Sequence, residues 1–519
     1  MFSNRVRFCV MGWLIVSVAV FVVRLGPVLA RYRADEQKFA DLAFEAKQPS
    51  PPTVVNDPNS PTPNLTLSLQ GRAIRGLDDG QIPWMQADFR GRDLMLVAYD
   101  TGRWFRLKRA PHSPADQLLH EFPKQRDLAG RIDCGAIAGP LEGRVIATVG
   151  EFPVVQFWDM ETGKLLETVE DEHPTMAARP VPPNQTKRHP SGLRYSETDA
   201  RRIVAAPRGC LFAIGKVDGT IELWGDLVYR EHPEWIEEEM LKGYQRRPFQ
   251  RRFGMLSRRQ VHEEHVVDLK FCKGGLQLLS IGGHKVTGYA ALNGADGSPL
   301  GYETRVRSNE LVSDVVLSST SSLDEVWRQK LPEAPDVLAI PMGETVGGPH
   351  WKTEDGGGIH KTRPFAISSF ERGVLLGDLL KKELTGTLAP PKPEPTRFIQ
   401  SIAFHRNENA LLTLHTDYSG QPGDAKSETI LTLWQVGSRR RIATARLPGQ
   451  FMSAGWDSQG MLLALLRFDP RLANSPSTSN ASQGNDSPTL FPWRTSSAHP
   501  HMFHLWDVRV DRIETPAAQ

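Results

Sequence analysis

Cysteine is scarce in this 519-residue chain: there are four, with no CxxC pair. Cys9 sits in an apolar N-terminal run, leaving Cys134, Cys210 and Cys272 in strand-like apolar stretches. An odd number at such spacings excludes a disulfide framework and a cysteine-ligated zinc site, and reads the three as small core residues. Charge of one sign is lacking too. Lys and Arg total 62 against 60 Asp and Glu, a net +2, so no global field favours nucleic acid. Neither GxSxG nor CxxCH occurs, which removes the simplest nucleophile elbow and covalent haem attachment. His262-Glu263-Glu264-His265 places two residues between its histidines where a zinc-protease helix needs three. Asp355 to Thr362 is glycine-rich without phosphate-loop spacing. No catalytic, cofactor-binding or metal-ligating residue is therefore assigned.

Long hydrophobic runs are limited to one. Phe8 to Val23 are sixteen uncharged residues behind Arg5 and Arg7. At about 1.5 Å per residue they reach about 24 Å, short of a ~30 Å hydrocarbon core. Counting on to Ala30 gives 23 residues, with Arg24 placed to snorkel to the interface. Val28-Leu29-Ala30 resembles a signal cleavage site, whereas the apolar length and Arg24 suit an uncleaved anchor, the reading we adopt. Positive charge is nearly balanced across the segment. Its likeness to an export signal points to a single-pass membrane protein with its bulk outside the cytoplasm. Residues 1–30 are thus a signal anchor or transmembrane helix, contacting the membrane through residues 8–30. Residues 31–65, with Pro-rich 48–63, read as an extended linker, and 513–519 as a disordered tail.

What the chain does have is a recurring phrase, an apolar run ending in Trp before a turn: Gln156-Phe157-Trp158-Asp159, Glu222-Leu223-Trp224-Gly225, Thr432-Leu433-Trp434-Gln435 and His504-Leu505-Trp506-Asp507. Recurrence of such a unit is the mark of a repeat architecture. One copy parses into strands a to d at 133–139, 144–150, 154–158 and 165–169. Others run from Arg202 to Trp224, from Val266 to Tyr289 (Tyr289 taking the Trp place), over 399–446 and over 452–506.

Val217-Asp218-Gly219-Thr220-Ile221-Glu222-Leu223-Trp224 and Trp158-Asp159-Met160-Glu161-Thr162-Gly163 resemble the b–c and c–d turns of WD-repeat, or YVTN-like, β-propellers. The likeness spans roughly 130–290 and 398–508. It implies an all-β fold over 66–512, a single propeller of about seven (six to eight) four-stranded blades preceded by the N-terminal helix. The repeat positions would be Trp158, Asp159, Asp218, Trp224, Tyr289, Trp434, Trp506 and Asp507. The family's His–Ser/Thr–Asp–Trp hydrogen-bond network is mostly missing from the sequence. His265 alone stands near the histidine place, and Asp218 is the one Asp six residues before a repeat Trp. Trp158 to Trp224 spans 66 residues and Trp434 to Trp506 spans 72, against about 40–45 for the family.

The surplus falls at 171–200 and 226–262, read as d–a connections, and at 416–428 and 468–501, read as b–c connections. All four would emerge on one face, because antiparallel strands alternate direction. Within 231–259 an acidic half passes into a basic half with aromatics between. Its candidate interaction residues are Trp235, Arg246, Arg247, Arg251, Arg252, Arg258 and Arg259. The reading is a membrane-tethered, non-catalytic scaffold that binds other proteins. The alternative is a propeller enzyme or small-ligand binder with its site in the central channel.

Overall fold

A computed structural model describes residues 52–56, 65–75, 85–90, 93–98, 103–108, 115–121, 132–137, 145–150, 154–159, 162–170, 200–207, 209–216, 218–242, 252–283, 289–293, 299–304, 313–341, 363–369, 373–388, 397–405, 410–417, 428–448, 451–456, 460–468 and 501–512. The chain divides into two units, Met1–Pro49 and Ser50–Gln519. The first unit, with the expected anchor at 8–30, lies outside the described residues, as do 513–519. No helix among the described residues is long and apolar enough to cross a membrane.

Ser50–Gln519 is all-β. After β1 (Thr53–Asn56) and β2 (Leu65–Arg75), antiparallel sheets follow in chain order. The first holds β3 (Met85–Arg90), β4 (Asp93–Ala98), β5 (Arg103–Lys108) and β6 (Ala115–Glu121). The second holds β7 (Ile132–Ile137), β8 (Val145–Gly150), β9 (Val154–Asp159) and β10 (Leu165–Glu170). The third holds β11 (Ala200–Ala205), β12 (Leu211–Lys216), β13 (Thr220–Asp226) and β14 (Phe253–Gln260). In the fourth, β15 (Val266–Cys272) and β16 (Gln277–Gly282) are followed by a separate hairpin, β17 (Tyr289–Asn293) and β18 (Pro299–Thr304), before β19 (Asp314–Ser319) and β20 (Glu325–Lys330) complete it. The fifth holds β21 (Pro335–Ala339), β22 (Pro364–Ser369), β23 (Gly373–Asp378) and β24 (Glu383–Leu388). The sixth holds β25 (Arg397–Phe404), β26 (Ala410–Asp417), β27 (Glu428–Gln435) and β28 (Arg440–Pro448), with β1 added at its outer edge. The seventh holds β29 (Phe451–Trp456), β30 (Leu462–Phe468) and β31 (His501–Arg512), and takes β2 as its fourth strand. Beyond Arg72, β2 turns to pair in parallel with β6 through Ala73 to Arg75.

The first strands of these sheets touch in succession: β3 meets β7, then come β11, β15, β21, β25 and β29, and β29 meets β3. Middle strands are apolar on both sides because a sheet lies against each face. Every residue of β12 and β13 is buried. Outer strands alternate instead, as β24 does, because one face is wet. Separate apolar clusters fill the spaces between neighbouring sheets. Phe157, Phe212 and Trp224 lie between the second and third sheets, and Leu414, Leu433, Leu465 and Trp506 between the sixth and seventh.

A structural repeat underlies the sequence phrase. In six of the sheets the first strand carries a register shift near its start, as at Ile132/Cys134, Val266/Asp268 and Pro335/Val337. The third strand meets a second irregularity where the tryptophans stand, as at Leu223/Trp224 and Leu433/Trp434. A bulge re-aims a strand and increases its twist, and so sets the angle at which each sheet meets the next.

Several expectations are corrected here. Tyr289 does not occupy a Trp place; it opens the inserted hairpin, and the third strand of its sheet is β19. Residues 253–260 are not loop but β14, which pairs with β13 along its length. The insertion at 227–252 is therefore a c–d connection, on the face of the a–b turns. The a–b connection between β21 and β22 is long as well, so long connections leave both faces. Finally, Thr53–Asn56, inside the Pro-rich linker, forms a strand on β28.

Candidate interaction surface

The insertion between β13 and β14 is anchored at both ends. The Asp226 carboxylate accepts the Val228 N–H at 3.1 Å and starts a short helical turn, Val228–Glu231. The Leu227 N–H donates to the Arg252 carbonyl at 2.7 Å and closes the base. Tyr229 is buried, and its hydroxyl accepts the Cys210 N–H at 3.4 Å. A second helix, Glu234–Lys242, buries Ile236 among Leu211, Phe271, Leu278 and Leu323. Those residues come from both the third and fourth sheets, so the helix spans their junction. Ser321, in the β19–β20 turn, donates to Glu237 at 3.4 Å. The His232 ring stacks on half-buried Trp235 with centroids 4.1 Å apart. Glu231, Glu234 and Glu237 face solvent beside exposed Arg230, so acidic side chains outnumber basic ones on the described part of this surface.

Of the basic residues expected to share this surface, those described are dispersed. Arg252 is exposed at the base of the insertion. Arg258 and Arg259 belong to β14 rather than to the loop. Arg258 reaches Asp218 at 3.8 Å and Glu222 at 3.6 Å, and Arg259 pairs with Asp324 of the fourth sheet. Arg246, Arg247 and Arg251 lie outside the described residues.

The repeat tryptophans are packing anchors with satisfied polar ends in three sheets. Trp158 Nε1 donates to Thr148 Oγ1 at 2.9 Å, and Trp434 Nε1 to Thr413 Oγ1 at 2.9 Å. Trp224 Nε1 donates to Glu222 at 3.0 Å. Trp506 is fully buried, and its Nε1 has no hydrogen-bond partner among the described residues. Asp159 caps the following turn by accepting the Thr162 N–H at 2.8 Å, Asp218 accepts the Thr220 N–H at 2.9 Å, and Asp507 is buried beside Trp506. At the equivalent pairing position the fourth sheet has Ser318 and the fifth has Gly377. There the Phe365 ring takes the space, since a Cβ on Gly377 would collide with it.

A polar cluster that the sequence did not disclose lies at the opposite ends of the third and fourth sheets. His262 and Ser280 are fully enclosed, with Nε2 and Oγ 2.7 Å apart. His262 Nδ1 donates to the Asp314 carboxylate, Nε2 and the Ser280 hydroxyl share a hydrogen bond, and the Ser280 hydroxyl also reaches the Val316 carbonyl at 3.4 Å. Arg328 in turn pairs with Asp314 and donates to the Val261 carbonyl at 2.6 Å. Burial alone would lower the Arg328 pKa, but hydrogen bonding and charge from Glu325 and Asp314 raise it. The Ser–His–Asp order imitates a hydrolytic triad. A serine with no exposed surface meets no substrate, so the arrangement holds sheet ends together. The histidine that the structure uses here is His262, not the neighbouring His265 singled out in the sequence.

Beside it, Lys216 Nζ and Glu222 Oε1 form a buried ion pair at 2.8 Å. Asp268, on an innermost strand, accepts from Arg202 Nε at 2.9 Å and from the Leu338 and Leu269 N–H groups at 3.0 and 2.9 Å. It thereby ties β11, β15 and β21 together. Burial raises its pKa, yet Arg202, Lys270 and the two N–H groups outweigh that and hold it below the ordinary 3.8. The signal for these groups was present, as charges interrupting apolar strands, but the partners of Asp268 lie in other repeats.

No family model matches the chain, and no curated protein matches it. Among solved structures, a chain of the crystal structure of the mitotic checkpoint complex aligns with a TM-score of 0.42 and 11% identity, covering 80% of this chain and 91% of that one. Sqt1 of Saccharomyces cerevisiae aligns with a TM-score of 0.42 and 10% identity, covering 74% and 79%.

Proposed function

We propose that Ser50–Gln519 is a WD40-like β-propeller of seven four-stranded blades, held at a membrane by residues 8–30 and acting as a non-catalytic scaffold for other proteins. Succession of first strands from β3 to β29 and back to β3 supports the closed ring, as does the completion of the seventh sheet by β2. Such a ring is stiff, so what it carries is held in fixed positions. The observation that carries the scaffold reading is the insertion at 227–252. Tyr229 and Ile236 seat it on two sheets while Glu231, Glu234 and Glu237 stay outward. The prominent polar cluster is spent on internal bonds, which favours recognition over turnover.

The test is cross-linking of the full-length protein in its own membranes, beside a variant carrying Glu234→Lys and Glu237→Lys. The scaffold reading expects a stoichiometric protein partner whose cross-links fall on 227–252 and are lost in the variant. Retention of every partner by the variant contradicts this surface. Recovery of a lone chain that turns over a small substrate contradicts the scaffold. Protease protection in intact cells reports the side of the membrane, with the sheets expected outside the cytoplasm.

A further inference from the structure

The outer edge of the sixth sheet is covered by a short strand from a distant part of the chain, as the edges of β31 and β6 are by β2. β1 pairs antiparallel with β28, with Thr53 opposite Arg446, Val54 opposite Ala445, Val55 opposite Thr444 and Asn56 opposite Ala443. The fit depends on β28. Ala443 and Ala445 are fully buried and small, leaving a shallow trough over the cluster of Leu412, Leu431 and Leu433, and Val54 packs into it. The remaining contacts are the backbone ladder to β28 and an approach to β2. Thr53 and Asn56 are exposed, and Val55 is 55% exposed, the most exposed large apolar side chain among the described residues. Four residues are thus ordered for one half-buried side chain, a weak hold by the balance of chain entropy against burial. β1 carries no charge, whereas the outer strands β14 and β20 carry Arg or Lys, which discourage stray pairing.

From this we infer that the β28 edge is a peptide-binding site and that β1 is its built-in, replaceable occupant. The ligand is an extended, uncharged segment of a partner protein with a β-branched residue in the Val54 position. It would add to β28 as a strand, with the ladder giving affinity and the Ala443–Ala445 trough giving selectivity. This rests on the scaffold reading and names the chemistry of one partner segment. Pro51, Pro52, Pro58, Pro61 and Pro63 flank the strand and keep the ladder short, because proline has no N–H to extend it.

The experiment uses a labelled peptide of the sequence Ser50 to Asp57 and the full chain. Val54→Asp should unseat β1 and leave the edge open. The peptide should bind this variant saturably and at least ten-fold more tightly than the wild-type chain, whose edge is filled. A peptide carrying Asp in the Val54 position should bind neither. Amide exchange over Ala443 to Arg446 should quicken in the variant and slow again with peptide. A second chain, with a protease site inserted between Ser60 and Pro61 and cut after folding, should release its N-terminal fragment and bind the peptide as the variant does. Equal affinity for wild type and variant, or uptake by neither opened chain, overturns the proposal. Because the readout is a peptide and not a captured partner, that failure leaves the scaffold reading standing, whereas loss of partners in the Glu234/Glu237 variant tests the scaffold alone.

Discussion

Substitution of Asp268 by Asn exposes how the innermost strands hold together. The carboxylate serves three donors on three strands: Arg202 Nε, the Leu338 N–H and the Leu269 N–H. Asparagine offers one acceptor oxygen and a donor amide of the same shape. At least one backbone N–H loses its acceptor, which costs about 1–3 kcal/mol in a buried site. Loss of the ion pair adds less, at most about 1 kcal/mol, because the Arg202 side chain is 35% exposed and solvent screens it. The expected destabilisation at pH 7 is about 1–4 kcal/mol. The pH dependence has a definite sign. The folded pKa of Asp268 lies below its ordinary 3.8, so the stabilisation is fully present above the unfolded value and is lost as pH falls through the folded one. Urea unfolding of wild type and D268N at pH 7 and at stepwise lower pH measures this directly. The gap between the two should be widest at neutral pH and narrow on acidification below about pH 4. A gap under about 0.5 kcal/mol at pH 7, or one that widens with acid, refutes the claim that this carboxylate joins the inner strands.

Trp434→Phe removes the Nε1 bond to Thr413 and should cost about 1–2 kcal/mol. Thr413→Val in the same background should recover part of it, and a double-mutant cycle in urea reports the coupling. Gly377→Ala places a methyl against the Phe365 ring and should destabilise by about 1–3 kcal/mol, a penalty that Phe365→Leu relieves in a thermal melt. Ile236→Ala opens a cavity under the helix Glu234–Lys242 and should cost about 2–5 kcal/mol. Amide exchange should show quickened opening of that helix.

Much of the strand pattern was legible because a repeat Trp at the end of an apolar run survives in four sheets. The expected strands around Trp158, Trp224, Trp434 and Trp506 match β9, β13, β27 and β31. Where Ser318 and Gly377 replaced Trp the signal vanished, and Phe365 filling the gap from a neighbouring strand is invisible to local spacing. β14 escaped because Arg258 and Arg259 interrupt its apolar pattern while pairing with carboxylates 36 and more residues away in sequence. β1 escaped because a four-residue strand among prolines has no periodicity to read, its partner β28 lying almost 400 residues on. The polar cluster was missed for the same reason. His262, Ser280 and Asp314 are unremarkable singly, and their meeting depends on the inserted hairpin that separates β16 from β19.

The whole reading stands on a closed circle of sheets. Electron microscopy of the full chain, marked by a rigid antibody fragment, counts them directly. A ring of seven radial densities around a central hole, with β2 sealing the last sheet to the first, is the expected image. An open arc, a different number of densities, or two stacked sheets contradicts it.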